Sequence, residues 1–192
     1  MNGDMAAKRA IFLDKDGTLI PDIPYNVDPK LISLSAHAAE GLRKLQSHGF
    51  TFFVVTNQNG IAEGKFDHGE LRRVVVALKD ILEGEGIELA DFYYCPHAAV
   101  RALPFSAFSC SCRKPRAGML FKAAIDHEID LQSSWMIGDI LNDVQAGNAA
   151  GCKTILIDNG NETVWKMNWK RVPDMIVPNI NAAAEFILSS CG

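Results

Sequence analysis

The chain has 192 residues, of which 48% are hydrophobic and 22% charged, a balance that suits one folded domain with a sizeable core and excludes a disordered chain. Its formal net charge is −4, and its basic residues are scattered except at Arg113–Arg116, which argues against a nucleic-acid partner. No apolar run is long enough to cross a bilayer, and Met1–Arg9 lacks the apolar core of a signal peptide, so a cytoplasmic protein with no membrane partner is expected.

Apolar runs alternate with amphipathic ones along the chain. Arg9–Leu13 reads as a buried strand that ends on the polar Asp14. Ala36–His48 reads as a helix closed by Gly49. Phe50–Val55 is a second strand, ending on Thr56. Glu70–Glu85 is a helix stopped by Gly86, and Asp91–Tyr94 a short strand leading into Cys95. Gly118–His127 is helical. Trp135–Ile137 is a strand ending at Gly138-Asp139, and Asn142–Ala150 a helix stopped by Gly151. Thr154–Ile157 and Met175–Val177 are further strands, and Ala182–Ser189 is the last helix. Strands and helices in this alternation predict an α/β fold, a doubly wound parallel sheet of the Rossmann type formed by residues 1–192 as a single domain. In such sheets ligands bind beyond the carboxyl ends of the strands, where Asp14, Thr56 and Asp139 converge.

Each strand end carries chemistry. Asp14-Lys15-Asp16-Gly17-Thr18 places two carboxylates in a tight turn, where one can attack phosphorus and the other move a proton. Thr56, Asn57 and Gln58 offer a hydroxyl and two amides to phosphoryl oxygens. Lys114 can neutralise charge on a transferring phosphoryl group, and the planar fork of Arg113 can hold a second anion. Asp139 is placed beside Asp14 to ligate a hard cation such as magnesium. Asp143, one helical turn on, is placed to hold the metal's waters or to cap the helix.

The 5 cysteines are an odd number, and disulfides are not expected in the cytoplasm. Cys95-Pro96-His97 and Cys110-Ser111-Cys112 form C-x-H and C-x-C pairs, which together make a tetrahedral, structural zinc set. Zinc there would tie down the loop Ala98–Ser109 and fix Arg113 and Lys114 behind it. Cys152 and Cys191 stand apart as buried or unremarkable thiols.

D-x-D-G-T at Asp14–Thr18, Thr56, Lys114 and G-D-x-x-x-D at Gly138–Asp143 together resemble the haloacid dehalogenase superfamily of phosphatases. YYCPH at Tyr93–His97, C-x-C-R-K-P at Cys110–Pro115 and T-N-Q-x-G-I-A-x-G-K-F at Thr56–Phe66 narrow the resemblance. They look like the D-glycero-D-manno-heptose 1,7-bisphosphate phosphatases and their histidinol-phosphatase relatives, which lack a large cap domain. The resemblance implies a magnesium-dependent phosphomonoester hydrolase acting on a small sugar bisphosphate, at its 7-phosphate; a monomer is expected. Asp14 is then the nucleophile, Asp16 the acid and base, and Thr56 and Lys114 complete the catalytic set. Asp14, Asp139 and the backbone carbonyl of Asp16 hold magnesium, and the segment Asp22–Tyr25 contacts substrate along with Asn57, Gln58, Arg113 and Lys114. In one place the chain departs from the family: a lysine often follows the metal aspartate, and here that residue is Ile140. Histidinol phosphate or another small metabolite therefore stands as an alternative substrate, with a nucleic-acid 3′-phosphatase or a non-enzymatic phospho-receiver as more distant readings.

Overall fold

A computed structural model describes residues 8–98 and 110–190 of the protein. The expectations placed on Met1–Arg9, on most of the loop Ala98–Ser109 and on Cys191 lie largely outside these residues. Six strands form one parallel sheet: β1 (Arg9–Leu13), β2 (Phe50–Asn57), β3 (Leu89–Cys95), β4 (Trp135–Gly138), β5 (Lys153–Ile157) and β6 (Met175–Val177). Their spatial order is β3-β2-β1-β4-β5-β6. The chain therefore winds outward from β1 in one direction, returns beside β1, and winds outward in the other.

Helices cover both faces, and the period-2 alternation of each strand assigns its side chains between them. Ile11 and Leu13 pack with Phe52, Val54 and Ile137 against α1 (Ala38–Ser47), α2 (His68–Gly84) and α5 (Ile180–Ser189). Ala10 and Phe12 face the other way, with Phe53, Val55 and Met136, against α3 (Gly118–His127) and α4 (Leu141–Ala150). Strands covered on both sides need near-continuous apolar sequence, which is why FTFFVV reads as it does.

Element boundaries differ from expectation where polar side chains set them. Helix α2 starts two residues early because Asp67 accepts from the Glu70 N–H while Glu70 accepts from the Asp67 N–H. Helix α5 starts at Ile180 because Asn179 Oδ1 accepts from the Ala182 N–H at 3.0 Å. Strand β2 runs through Thr56 to Asn57, so Thr56 lies inside the ladder and not just past it.

Candidate active site

Leu13 pairs with Val54 on one side and with Ile137 on the other, and the Asp14 N–H donates to the Ile137 carbonyl at 3.0 Å. The sheet thus delivers Asp14 to the point between β1 and β4 where the winding direction reverses, the place where open α/β sheets form a crevice. Oδ1 of Asp14 accepts from the Lys15 N–H at 2.7 Å and lies 2.8 Å from Nζ of Lys114. The Lys114 ammonium also donates to the Val55 carbonyl at 2.9 Å and sits 2.7 Å from Oδ1 of Asp143. The ammonium thus has three oxygen neighbours in a place that is 2% exposed. The Asp143 contact is an ion pair and not an aligned hydrogen bond. Burial alone would lower the Lys114 pKa, but the charges of Asp14 and Asp143 outweigh it and hold the group well above the ordinary lysine range.

Asn57 lines the cleft beside Asp16, and its amide is already engaged by the chain. Its amide clamps the backbone of Lys114, donating to its carbonyl at 3.1 Å and accepting from its N–H at 3.0 Å. Gln58 donates to Oδ2 of Asp16 at 2.9 Å and to the Thr56 hydroxyl at 3.0 Å. The other Asp16 oxygen lies 2.9 Å from the ammonium of Lys15, a residue the motif reading passed over although it sits between the two acids. Burial pushes the Asp16 carboxyl up, Lys15 opposes this, and Asp14 adds to it.

Asp139 follows β4. Its Oδ1 accepts from the Thr18 hydroxyl at 3.2 Å and its Oδ2 from the Asn161 amide at 2.8 Å. Burial first, then the nearby charge of Asp14, pushes this carboxyl up to about 6. Asp143 is fully buried and is pushed up to about 7 by burial, against the pull of Lys114; its Oδ2 accepts from the Ile140 N–H at 3.2 Å. Carboxylate oxygens of Asp14, Asp139 and Asp143 lie within 4.8 Å of one another. Three hard oxygen donors sharing the single ammonium of Lys114 leave an excess of negative charge, so the donor set fits a magnesium ion. Asn159 also reaches the site, donating to the Gly17 carbonyl at 2.6 Å. Asn159 and Asn161 flank a glycine just past β5, and the strand-end rule that found Asp14 and Asp139 could have found them.

Beside the crevice opens a cleft of about 280 Å³ lined by Lys15, Asp16, Asp22, Tyr25 and Gln58 among others. The Tyr25 hydroxyl donates to Glu63 Oε2 at 2.8 Å, which joins two loops across the cleft. Asp22 and Tyr25 both line this cleft. The Arg113 guanidinium is not part of this lining; it donates to the His97 carbonyl at 3.0 Å.

Cys95 Sγ lies 3.4 Å from His97 Nδ1 and 3.5 Å from Cys110 Sγ, and Cys112 Sγ lies 3.4 Å from His97 Nδ1. A zinc tetrahedron with ordinary bond lengths has edges of about 3.6–3.8 Å. All four ligand atoms lie within 4.8 Å of one another, so the cluster fits zinc with little movement. Burial raises the Cys110 thiol, but the Arg113 backbone N–H and the neighbouring cysteines bring it down to about 7. The cluster joins the end of β3 to the residues directly before Lys114.

Comparison with known proteins narrows what this geometry serves. A family model described as HAD-hydrolase-like matches residues 111–183. The D-glycero-beta-D-manno-heptose-1,7-bisphosphate 7-phosphatase of Escherichia coli (strain K12) is 34% identical over 182 residues, 94% of this chain and 88% of that protein. This chain belongs to the heptose-bisphosphate phosphatase family. The Pasteurella multocida (strain Pm70) member of the same name is 36% identical over 154 residues, 80% of this chain and 83% of that protein. A solved D,D-heptose 1,7-bisphosphate phosphatase from B. bronchiseptica, complexed with magnesium and phosphate, matches with a TM-score of 0.80 and 28% identity. The match covers 95% of this chain and 99% of that one. Membership of this heptose-bisphosphate phosphatase family makes the chain a phosphatase of the haloacid dehalogenase type.

Proposed function

We propose that this phosphatase removes the 7-phosphate from D-glycero-β-D-manno-heptose 1,7-bisphosphate through an aspartyl-phosphate on Asp14. Asp14, Asp139 and the backbone carbonyl of Asp16 are the residues that would hold magnesium, and Cys95, His97, Cys110 and Cys112 those that would hold a structural zinc. Magnesium, when bound, screens the negative charge of the phosphoryl group. Asp14 attacks phosphorus in line with the departing sugar oxygen, and Asp16 gives that oxygen its proton. Asp16 then removes a proton from the water that hydrolyses the aspartyl-phosphate, which returns Asp14 and releases phosphate. Lys114 and the Thr56 hydroxyl meet the phosphoryl oxygens as charge shifts on to them. Gln58 and Lys15 keep both oxygens of Asp16 in a fixed direction, and Asn57 holds the backbone that carries Lys114. Asp22, Tyr25 and Gln58 face the sugar, and Arg113 helps to hold its second phosphate.

The observation that carries the reading is the placement of Asp14 at the switch point, 2.8 Å from Lys114, in a chain 34% identical to a named 7-phosphatase over 94% of its length. The 192 residues are read as one monomeric, cytoplasmic domain; among the described residues no helix is long and apolar enough to cross a membrane. The test is phosphate release from both anomers of heptose 1,7-bisphosphate, from histidinol phosphate and from a 3′-phosphorylated oligonucleotide. The β-bisphosphate is expected to exceed every other substrate in kcat/KM by at least about tenfold, the scale of one well-placed polar contact. Equal or faster turnover of histidinol phosphate would assign the enzyme to that substrate, in keeping with Ile140 in place of the family lysine.

A further inference from the structure

Two asparagines just past β5 reach back to the nucleophile loop and to Asp139, and no sequence motif of the phosphatase pointed to them. Asn159 Nδ2 donates to the Gly17 carbonyl at 2.6 Å, and Asn161 Nδ2 donates to Asp139 Oδ2 at 2.8 Å. Gly160 between them has φ +89°, and the Asn161 N–H donates to Asn159 Oδ1 at 3.2 Å, so the chain turns tightly and both amides point the same way. The packing is close: a Cβ at Gly17 would overlap both Asp139 Oδ2 and Asn161 Nδ2. Asp139 therefore has one oxygen held from the β1 loop by Thr18 and the other held from the β5 loop by Asn161.

We infer that Asn161 is a positioning residue for magnesium: its amide fixes the rotation of the Asp139 carboxylate so that one lone pair is presented toward Asp14. Asn159 supports this by tying the same segment to Gly17. This inference rests on the proposed magnesium site. A carboxylate free to rotate loses entropy when it takes a metal, and a donor that already fixes it removes that loss. The amide is neutral, so it orients the carboxylate without competing in charge with the cation, whereas a lysine at this place would neutralise it.

The test is magnesium binding measured by calorimetry on magnesium-free, zinc-replete protein, comparing wild type with Asn161→Ala and Asn161→Leu. The second variant keeps the branched shape of the side chain and replaces its amide by methyl groups. Asn161 lies on an exposed stretch of loop. Both variants are therefore expected to melt within a few degrees of wild type without magnesium. Both should bind magnesium about 10–100-fold more weakly, the usual range for loss of a group that orients a ligand. At saturating magnesium, kcat should return close to wild type, which a general loss of structure would not allow. If wild type binds magnesium and the variants bind it equally well or better, the positioning role is wrong while the metal site stands. If wild type itself binds no magnesium, the metal site is wrong and this inference falls with it.

Discussion

At the scale of single residues, the site is built from charges that cannot be removed one at a time without consequence. Asp14→Asn keeps the shape of the side chain and removes its nucleophilicity, so steady-state phosphate release should fall by at least about 10³-fold in a protein that still folds. Retained turnover in that variant would remove Asp14 from the nucleophile role. Lys114→Ala is a different kind of change. It leaves two carboxylates and the Val55 carbonyl facing an empty space. Breaking a buried ion pair on one side costs about 3–5 kcal/mol, and here the lower end applies because Asp143 can take up a proton once its partner is gone. Denaturant unfolding should show this loss, together with the loss of activity. A Lys114→Ala protein as stable as wild type would show that the ammonium is not paired as described.

At the scale of elements, the segment from Cys110 to Lys114 joins a Cys/His cluster that could hold a metal to the buried ammonium of Lys114. Two devices fix Lys114: the cysteines just before it, and the Asn57 amide that grips its backbone on both sides. Zinc ligation can supply on the order of 10 kcal/mol of folding free energy, far more than is needed to order a short loop. Cys110→Ser should therefore lower zinc content from one ion per chain and reduce kcat much more than it reduces the stability of the sheet, whose core lies under the helices. Asn57→Ala should act on the same charge and cost about 1–2 kcal/mol of transition-state stabilisation, roughly tenfold or more in kcat. The double variant should lose less than the product of the two, because both release the same lysine. Elemental analysis, kinetics and thermal melts on the three variants read all of this. Normal turnover in a folded, zinc-free Cys110→Ser protein would show that the Asn57 clamp is sufficient alone.

At the scale of the whole molecule, the site exists because segments from opposite ends of the chain meet over one switch point. The Asp14–Thr18 loop after β1, Asp139 after β4 and the asparagines after β5 pack against one another around Gly17, whose φ of +81° and lack of a Cβ make the meeting possible. Gly17→Ala places a methyl group where Asp139 Oδ2 and Asn161 Nδ2 now sit. It also puts a side chain on a left-handed backbone, at a cost of about 1–3 kcal/mol. The expected protein is folded, melts several degrees lower, and has little activity, because Asp139 is displaced from Asp14. Circular dichroism melts with phosphate-release kinetics check this; near-normal kcat would mean that the two loops yield more easily than their packing implies.

The strand runs RAIFL, FTFFVV and WMI were legible from the sequence because a parallel sheet buried on both faces demands unbroken apolar segments. The polar residues at their ends were legible for the same reason. The convergence of Cys95, His97, Cys110 and Cys112 was legible because C-x-H and C-x-C carry their geometry in their spacing. What only the tertiary structure decided was which donor meets which acceptor. Asn57 and Gln58 are adjacent and looked alike as donors to phosphate, yet one clamps Lys114 and the other holds Asp16. Lys15, given no role in the motif, is buried against Asp16, and Asp143, read as a holder of the metal's waters or a helix cap, accepts from the Ile140 N–H and is also the buried partner of Lys114. Periodicity records which face of an element is covered. A hydrogen bond between residues far apart in the chain depends on strand register and loop path, and these are fixed only when the sheet closes around its core.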